Sequence, residues 1–171
     1  MTDHEIRIED PLATRIASAT ERYGEGGLVQ HAVGLLRGRN EGDDVLLYLG
    51  GRHARGLLDG APALYWPEVW GARALLHVWD DSAASAVLDG VQNQAWRVRE
   101  MCLKVCAIRR LGNSALLKRR LTDENARVRA AAAHALSAVG TADDRALLEP
   151  LLRDPDKDVR RAAGEALKAL E

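Results

Sequence analysis

The 171-residue sequence has no phenylalanine, and only four tryptophans, three tyrosines, two methionines and two cysteines. With so few large rings, the core must be assembled from alanine, leucine and valine. That suits closely packed helices better than a β-sandwich, whose strands favour aromatic and β-branched residues. The cysteine count excludes a disulfide-stapled scaffold. Cys102 and Cys106 are four residues apart, which on a helix separates their Cβ atoms by about 5–6 Å. A disulfide wants roughly 3.5–4.5 Å, so two reduced thiols are expected. No stretch of 18 apolar residues occurs, and no basic leader followed by an apolar segment opens the chain; no membrane contact and a cytoplasmic location are expected.

Reaction motifs are missing as well. There is no glycine-rich phosphate loop, no GxSxG elbow and no HExxH helix. The histidines His4, His31, His53, His77 and His134 are scattered, and the one His-Glu pair is His4-Glu5. Cys102, Cys106 and one histidine would still lack a fourth metal ligand. Catalytic residues, metal and cofactor are therefore all read as none, with the cysteines behaving as small core hydrophobes.

Charge of a single sign is also lacking. The net charge is −1, so the whole chain is no polyelectrolyte binder. Its distribution is uneven: residues 1–90 carry a net of −6, residues 91–171 a net of +5, and residues 97–129 a net of +7. The basic stretch contains Arg97 and the run Lys118-Arg119-Arg120.

What the sequence does contain is a repeat. Val91-x-Asn93, Leu121-x-Asp123 and Leu152-x-Asp154 each precede a Val-Arg pair: Val98-Arg99, Val128-Arg129 and Val159-Arg160. A small residue and an apolar pair follow at fixed distances: Cys102 with Val105 and Cys106, Ala132 with Ala135 and Leu136, Ala163 with Ala166 and Leu167. The spacing from one copy to the next is 30 and then 31 residues. A constant period of this size marks a helical array. Val128, Ala132, Ala135, Leu136 and Val139 fall on one helix face. A weaker copy lies upstream at Trp66, Ala72, Leu75 and Leu76, without the Val-Arg pair. Asp123 and Asp154 are placed to cap the following helices. Gly112 and Gly140 are placed where a left-handed residue ends the preceding ones.

These motifs resemble the HEAT-like repeats of the PBS-lyase type over about residues 66–171. The resemblance implies an all-α fold, an α/α superhelix in which two-helix units stack. It also implies that Asn93, Arg99, Asp123, Arg129, Asp154 and Arg160 form a structural ladder between repeats. The expected organisation is a single compact domain: a flexible tail over 1–10, divergent helices over 11–65 that continue or cap the stack, with Val45–Leu49 and Arg52–Leu58 as short helices among them, and repeats over 66–171. Short helices at 85–91, 114–121 and 144–152 are expected to line the concave side.

The resemblance is specific for fold and says little of function; the leading expectation is a non-enzymatic adaptor that binds another protein on its concave surface. Lys118, Arg119, Arg120, Arg97, Trp96, Trp66 and Trp70 are the candidate contact residues, since tryptophan and arginine are enriched in binding hot spots. The alternative is a nucleic-acid-binding or DNA-base-repair protein using the basic 97–129 region, because HEAT-like DNA glycosylases also combine basic residues with tryptophan. A minor alternative is a lyase-like modifying protein, as in the bilin lyases. The last helix lacks a covering neighbour in the pattern, which leaves room for a homodimer.

Overall fold

The computed structural model describes residues 5–171. The His4-Glu5 pair thus falls partly outside the described residues. Ten α-helices and three 3-10 turns account for the ordered elements, with no strand among the described residues. The chain divides into two compact units, one ending at Ala86 and the other spanning Val87–Glu171. The expected organisation was one domain with a change of character at residue 66. The division instead falls inside the helix Ala84–Gly90.

In the N-terminal unit, α1 (Leu12–Tyr23), α2 (Glu25–Leu36), α3 (Asp43–Leu58) and α4 (Trp66–Ala74) pack around α2 and its neighbours. Helix α2 is buried along almost its whole inner length through Leu28, Val29, Ala32, Val33, Leu35 and Leu36, and α4 packs along it. Of the tail expected to fray, residues 5–10 form hydrogen-bonded turns, with Ile8 N–H donating to the Ile6 carbonyl at 3.0 Å. Glu9 pairs with Arg52, and the Asp10 carbonyl accepts from Arg15 Nε at 3.1 Å.

The two short helices expected at 45–49 and 52–58 are joined in α3, which breaks at Gly51 (φ 57°, ψ −134°). A break of this kind strips carbonyls of their helical partners. Arg15 Nη1 donates to the Leu47 and Tyr48 carbonyls at 3.3 and 3.0 Å, and Arg73 Nη2 donates to the Leu49 carbonyl at 2.6 Å. Burial holds both guanidinium groups below their ordinary pKa. Glycine suits position 51 because φ 57° with ψ −134° is a conformation that residues with a side chain rarely adopt, and an added Cβ would also press on the Arg15 guanidinium.

The C-terminal unit alternates long and short helices. α5 (Ala84–Gly90) leads into it; α6 (Trp96–Arg109), α8 (Ala126–Val139) and α10 (Lys157–Ala169) are the long members, and α7 (Ser114–Lys118) and α9 (Arg145–Leu148) the short ones. The long helices begin with the Val-Arg pairs, as the repeat requires. The short ones give way to turns and 3-10 geometry over Ala142–Asp144 and Glu149–Arg153. α6 packs along α8 and α8 along α10. The contact residues are small: Ala131, Ala132, Ala133 and Ala135 in α8, and Ala162, Ala163 and Ala166 in α10, are all buried.

Two local expectations change. The caps of α8 and α10 are Asn125 and Asp156, whose side chains accept from Arg127 N–H at 3.0 Å and from Asp158 N–H at 2.8 Å. Asp123 and Asp154 stand two residues earlier and accept from Asn125 and Asp156 N–H. The left-handed residue that ends α6 is Arg110 (φ 56°, ψ 50°), and Gly140 is not left-handed (φ −77°).

Candidate functional site

The ladder residues form one repeated device. Arg99 donates from Nε and Nη2 to both Asp123 oxygens, each at 2.9 Å. Its Nη1 donates to the Asn93 and Gln94 carbonyls, also at 2.9 Å. One period on, Arg129 holds Asp154 at 2.8 and 2.9 Å, and its Nη1 holds the Asp123 and Glu124 carbonyls. Each arginine thus uses one edge on its own repeat's turn and the other on the next repeat's aspartate. A planar five-donor fork suits this double task; an ammonium does not. Burial alone would raise the Asp123 carboxyl, but the bonds from Arg99 and from Asn125 N–H outweigh it and hold the group below the usual carboxylate range. Asp154 is lowered chiefly by Arg129.

Arg120 joins this device. Its Nη1 lies 3.1 Å from Asp123 Oδ2, so Asp123 serves two guanidinium groups. Lys118 and Arg119 are exposed beside it on the short-helix side. The three basic residues therefore divide between two roles.

The tryptophans divide as well. Trp70 is 2% exposed and sits in the core of the N-terminal unit, with His53 against its ring edge at 5.2 Å. Its fused ring fills the space above Gly50, where a Cβ would come within 2.7 Å of it. Trp66 is half-buried in the same unit, 4.7 Å from His53 and 5.3 Å from Tyr65 between ring centres. Trp96 belongs to the other unit, at the first turn of α6. The Arg97 guanidinium lies 4.4 Å above its ring and that of Arg127 at 5.9 Å, within the range of cation–π attraction.

A groove of about 470 Å³ runs along the exposed face of the long helices. Ala107, Ala126, Ala130 and Ala131 form its floor. Glu100 on α6 is mostly buried at one side, and it takes Lys104 Nζ and Arg127 Nε, both at 3.0 Å, on a single oxygen. His134, Asp158 and Arg161 stand at the other side, where Arg161 pairs with Asp158 at 3.2 Å. The short helices, expected to line the concave side, contribute nothing to this groove. The reason lies in side-chain size. Alanine at the helix contacts draws α6, α8 and α10 together and leaves a shallow apolar trough between their polar ridges.

Nothing in the sequence pattern singled out Glu100, Lys104 or His134. Glu100 sits beside Arg99 in the helix, in a slot that the repeat leaves variable, and its partner Arg127 is one repeat away. The signal that bears on it is the match of Glu100 with Ala130, which exchanges charge for floor at equivalent positions.

Cys102 and Cys106 are fully buried in α6 and joined by no disulfide, and burial pushes the Cys106 thiol up to about 12. Among the described residues, no three His, Cys, Asp or Glu side chains are grouped to hold a metal ion. In the N-terminal unit, a cavity of about 110 Å³ beside Asp10, Arg15 and Tyr48 has room for waters rather than for a ligand.

Among the described residues, no helix is long and apolar enough to cross a membrane. No curated protein matches the chain. Residues 84–168 match the family model for HEAT repeats, units that generally mediate contacts between proteins. The match takes in all three ladder-bearing copies and leaves the weaker copy at Trp66–Leu76 outside it. With its alternating helices, constant register and arginine–aspartate ladder, the chain belongs, through residues 84–168, to the HEAT-repeat proteins.

Proposed function

We propose that this protein is a non-enzymatic adaptor that binds another protein in the groove on the α6–α8–α10 face. The observation that carries the reading is the combination in that groove of an alanine floor with fixed charges of both signs. An apolar centre with a polar rim is the usual anatomy of a protein interface. Trp96, with Arg97 and Arg127 against its ring, lies close by through its link to Arg127 and supplies a hot-spot pairing at one edge. Two cysteines outside any disulfide fit a reducing compartment, so the adaptor is proposed to act in the cytoplasm.

Ala130→Trp fills the groove with a side chain that points into it. Lys118→Glu with Arg119→Glu reverses the exposed charges on the short-helix side. Partner capture from the native cell, by tagged full-length protein, should fail for Ala130→Trp and persist for the charge reversal, with unfolding midpoints unchanged for both. Loss with the charge reversal alone would place the interface on the Lys118–Arg119 surface instead.

The nucleic-acid reading is weakened by how the basic residues are used. Between residues 97 and 129, Arg99, Lys104, Arg120, Arg127 and Arg129 each face a carboxylate. Charges neutralised in this way release few counterions on meeting phosphate. Retention of duplex DNA at physiological salt, abolished by raising the salt, would reverse this preference.

A further inference from the structure

The floor of the groove is the outer face of one helix. Ala126, Ala130 and His134 stand at four-residue spacing on α8, which amounts to about two turns, or about 12 Å, of helix. Its walls come from the neighbours: Glu100, Lys104 and Ala107 of α6 on one side, Asp158 and Arg161 of α10 on the other, with Asp156 at the α10 cap. Bare methyl groups between longer side chains make α8 the low member of the three. Packed helices lie about 8–10 Å apart, so the axes of α6 and α10 are roughly 16–20 Å apart. A helix with its side chains is about 10–12 Å across, and the trough admits one.

Two properties of the trough select its occupant. The alanine methyls on the floor neither donate nor accept, and past its first turn α8 spends its backbone groups within the helix. An extended segment laid there would bury its own N–H and C=O groups without partners, at a cost in free energy. A helix satisfies its backbone internally and repeats apolar side chains at the spacing of the floor. The second property is charge. Glu100 is one carboxylate holding two cations, Lys104 and Arg127, both at 3.0 Å, so that wall keeps one positive charge in surplus. Opposite, Asp156 and Asp158 share the groove with the single cation Arg161, which pairs with Asp158 at 3.2 Å. That wall keeps one negative charge in surplus, since Asp156 is met by the neutral N–H groups of Asp158 and Val159.

We infer that the partner segment seated in the groove is an amphipathic α-helix with two charged flanks. Its large apolar side chains lie on the floor at Ala126 and Ala130. Acidic residues flank them on the side of Lys104 and Arg127, and basic residues on the side of Asp156 and Asp158. The inference rests on the adaptor reading of the same groove and adds what the partner must present there.

The probe is a synthetic helical peptide of about 18 residues, long enough to hold a helix in an alanine-rich sequence. It carries leucine along one face, glutamate on one flank and lysine on the other. Three companions have glutamate on both flanks, lysine on both flanks, or one proline at a central position facing away from the leucines. Titrated calorimetrically into the full-length protein, the mixed peptide should bind saturably at one site, and Ala130→Trp should abolish that binding. The single-sign peptides should each bind about fivefold more weakly, the loss expected for a surface ion pair. The proline peptide should bind at least about tenfold more weakly, because its backbone no longer completes the helix. Equal binding by the proline peptide would overturn the helical occupant, and equal binding by the single-sign peptides would overturn the two charged flanks. If no peptide binds at millimolar concentration while Ala130→Trp still prevents partner capture, the helix is wrong and the groove reading stands. Capture that survives Ala130→Trp would remove the groove reading itself, and this inference with it.

Discussion

Arg129 grips Asp154 with two parallel hydrogen bonds, Nε to Oδ2 at 2.8 Å and Nη2 to Oδ1 at 2.9 Å, across 25 residues of sequence. The pair ties the second repeat to the third, and its twin, Arg99 with Asp123, ties the first to the second. Stability in a repeat array is close to a sum of units and neighbour interfaces. Each pair is therefore a hinge point for the cooperativity of the whole unit.

The two pairs should differ in cost when broken. Asp123 is more buried than Asp154, and it also holds Arg120. Removing one partner of a buried pair costs about 3–5 kcal/mol. Asp123→Ala is expected near that range in urea unfolding and Asp154→Ala clearly below it. Equal losses would show that the second guanidinium adds nothing. Arg99→Lys should recover little of the Arg99→Ala loss, because an ammonium lacks the fork that serves two repeats at once.

Stability should fall in acid through the same carboxylates. Asp123, Asp154 and Asp144 all titrate below the ordinary carboxylate value in the folded protein, the last because Thr141 N–H and then Ser114 Oγ donate to it. A carboxylate lowered by folding contributes stability above its unfolded pKa of about 3.9, and that contribution disappears as pH drops toward the folded value. Unfolding free energy from these groups should be flat from pH 7 to about 5 and decline below about 4. Asp154→Asn should lessen the slope of that decline in chemical denaturation measured at each pH.

Cysteine labelling should report folding. Both thiols are fully buried, and Cys106 is pushed up to about 12 by burial. The thiolate is the reactive form. Alkylation by iodoacetamide at pH 8, followed by mass spectrometry, should leave Cys106 unmodified in the native protein and modify it fully in denaturant. Rapid native labelling would mean that α6 opens locally.

Gly51→Ala should damage the N-terminal unit. The substitution strains the backbone at φ 57° and drives a Cβ toward the Arg15 guanidinium that caps the broken helix. Strain of this type costs on the order of 1–3 kcal/mol, and displacing Arg15 from the Leu47 and Tyr48 carbonyls adds to it. A lowered thermal midpoint is expected, whereas Gly26→Ala, where an added Cβ meets nothing within 4 Å, should be neutral or slightly stabilising.

The repeat was legible because it is a one-dimensional pattern. Val98, Val128 and Val159 keep their register to within a residue, so the long helices and their buried face follow from spacing, while the ladder residues were implied by the family resemblance. The break at Gly51 was half legible, as two short helices with a glycine pair between them. The groove was not legible. Its alanines look the same in sequence as those buried between helices, Ala131 being one of both, and only the packing of α6 on α8 and α8 on α10 decides which of them border the trough.

The sequence by itself determined an all-helical array with a 30-residue period, because small and apolar residues recur at fixed spacing, whereas the arginine–aspartate link between units was implied by the family resemblance and its pairing is seen in the structure. Tertiary structure alone decided how each charge and each ring is used. It drew Arg120 into the ladder, buried Trp70, left Lys118 and Arg119 in solvent, and set Glu100 between Lys104 and Arg127. Those outcomes depend on which side chains meet across repeats, and a charge or a tryptophan in a sequence carries no mark of the neighbour that packing will bring to it.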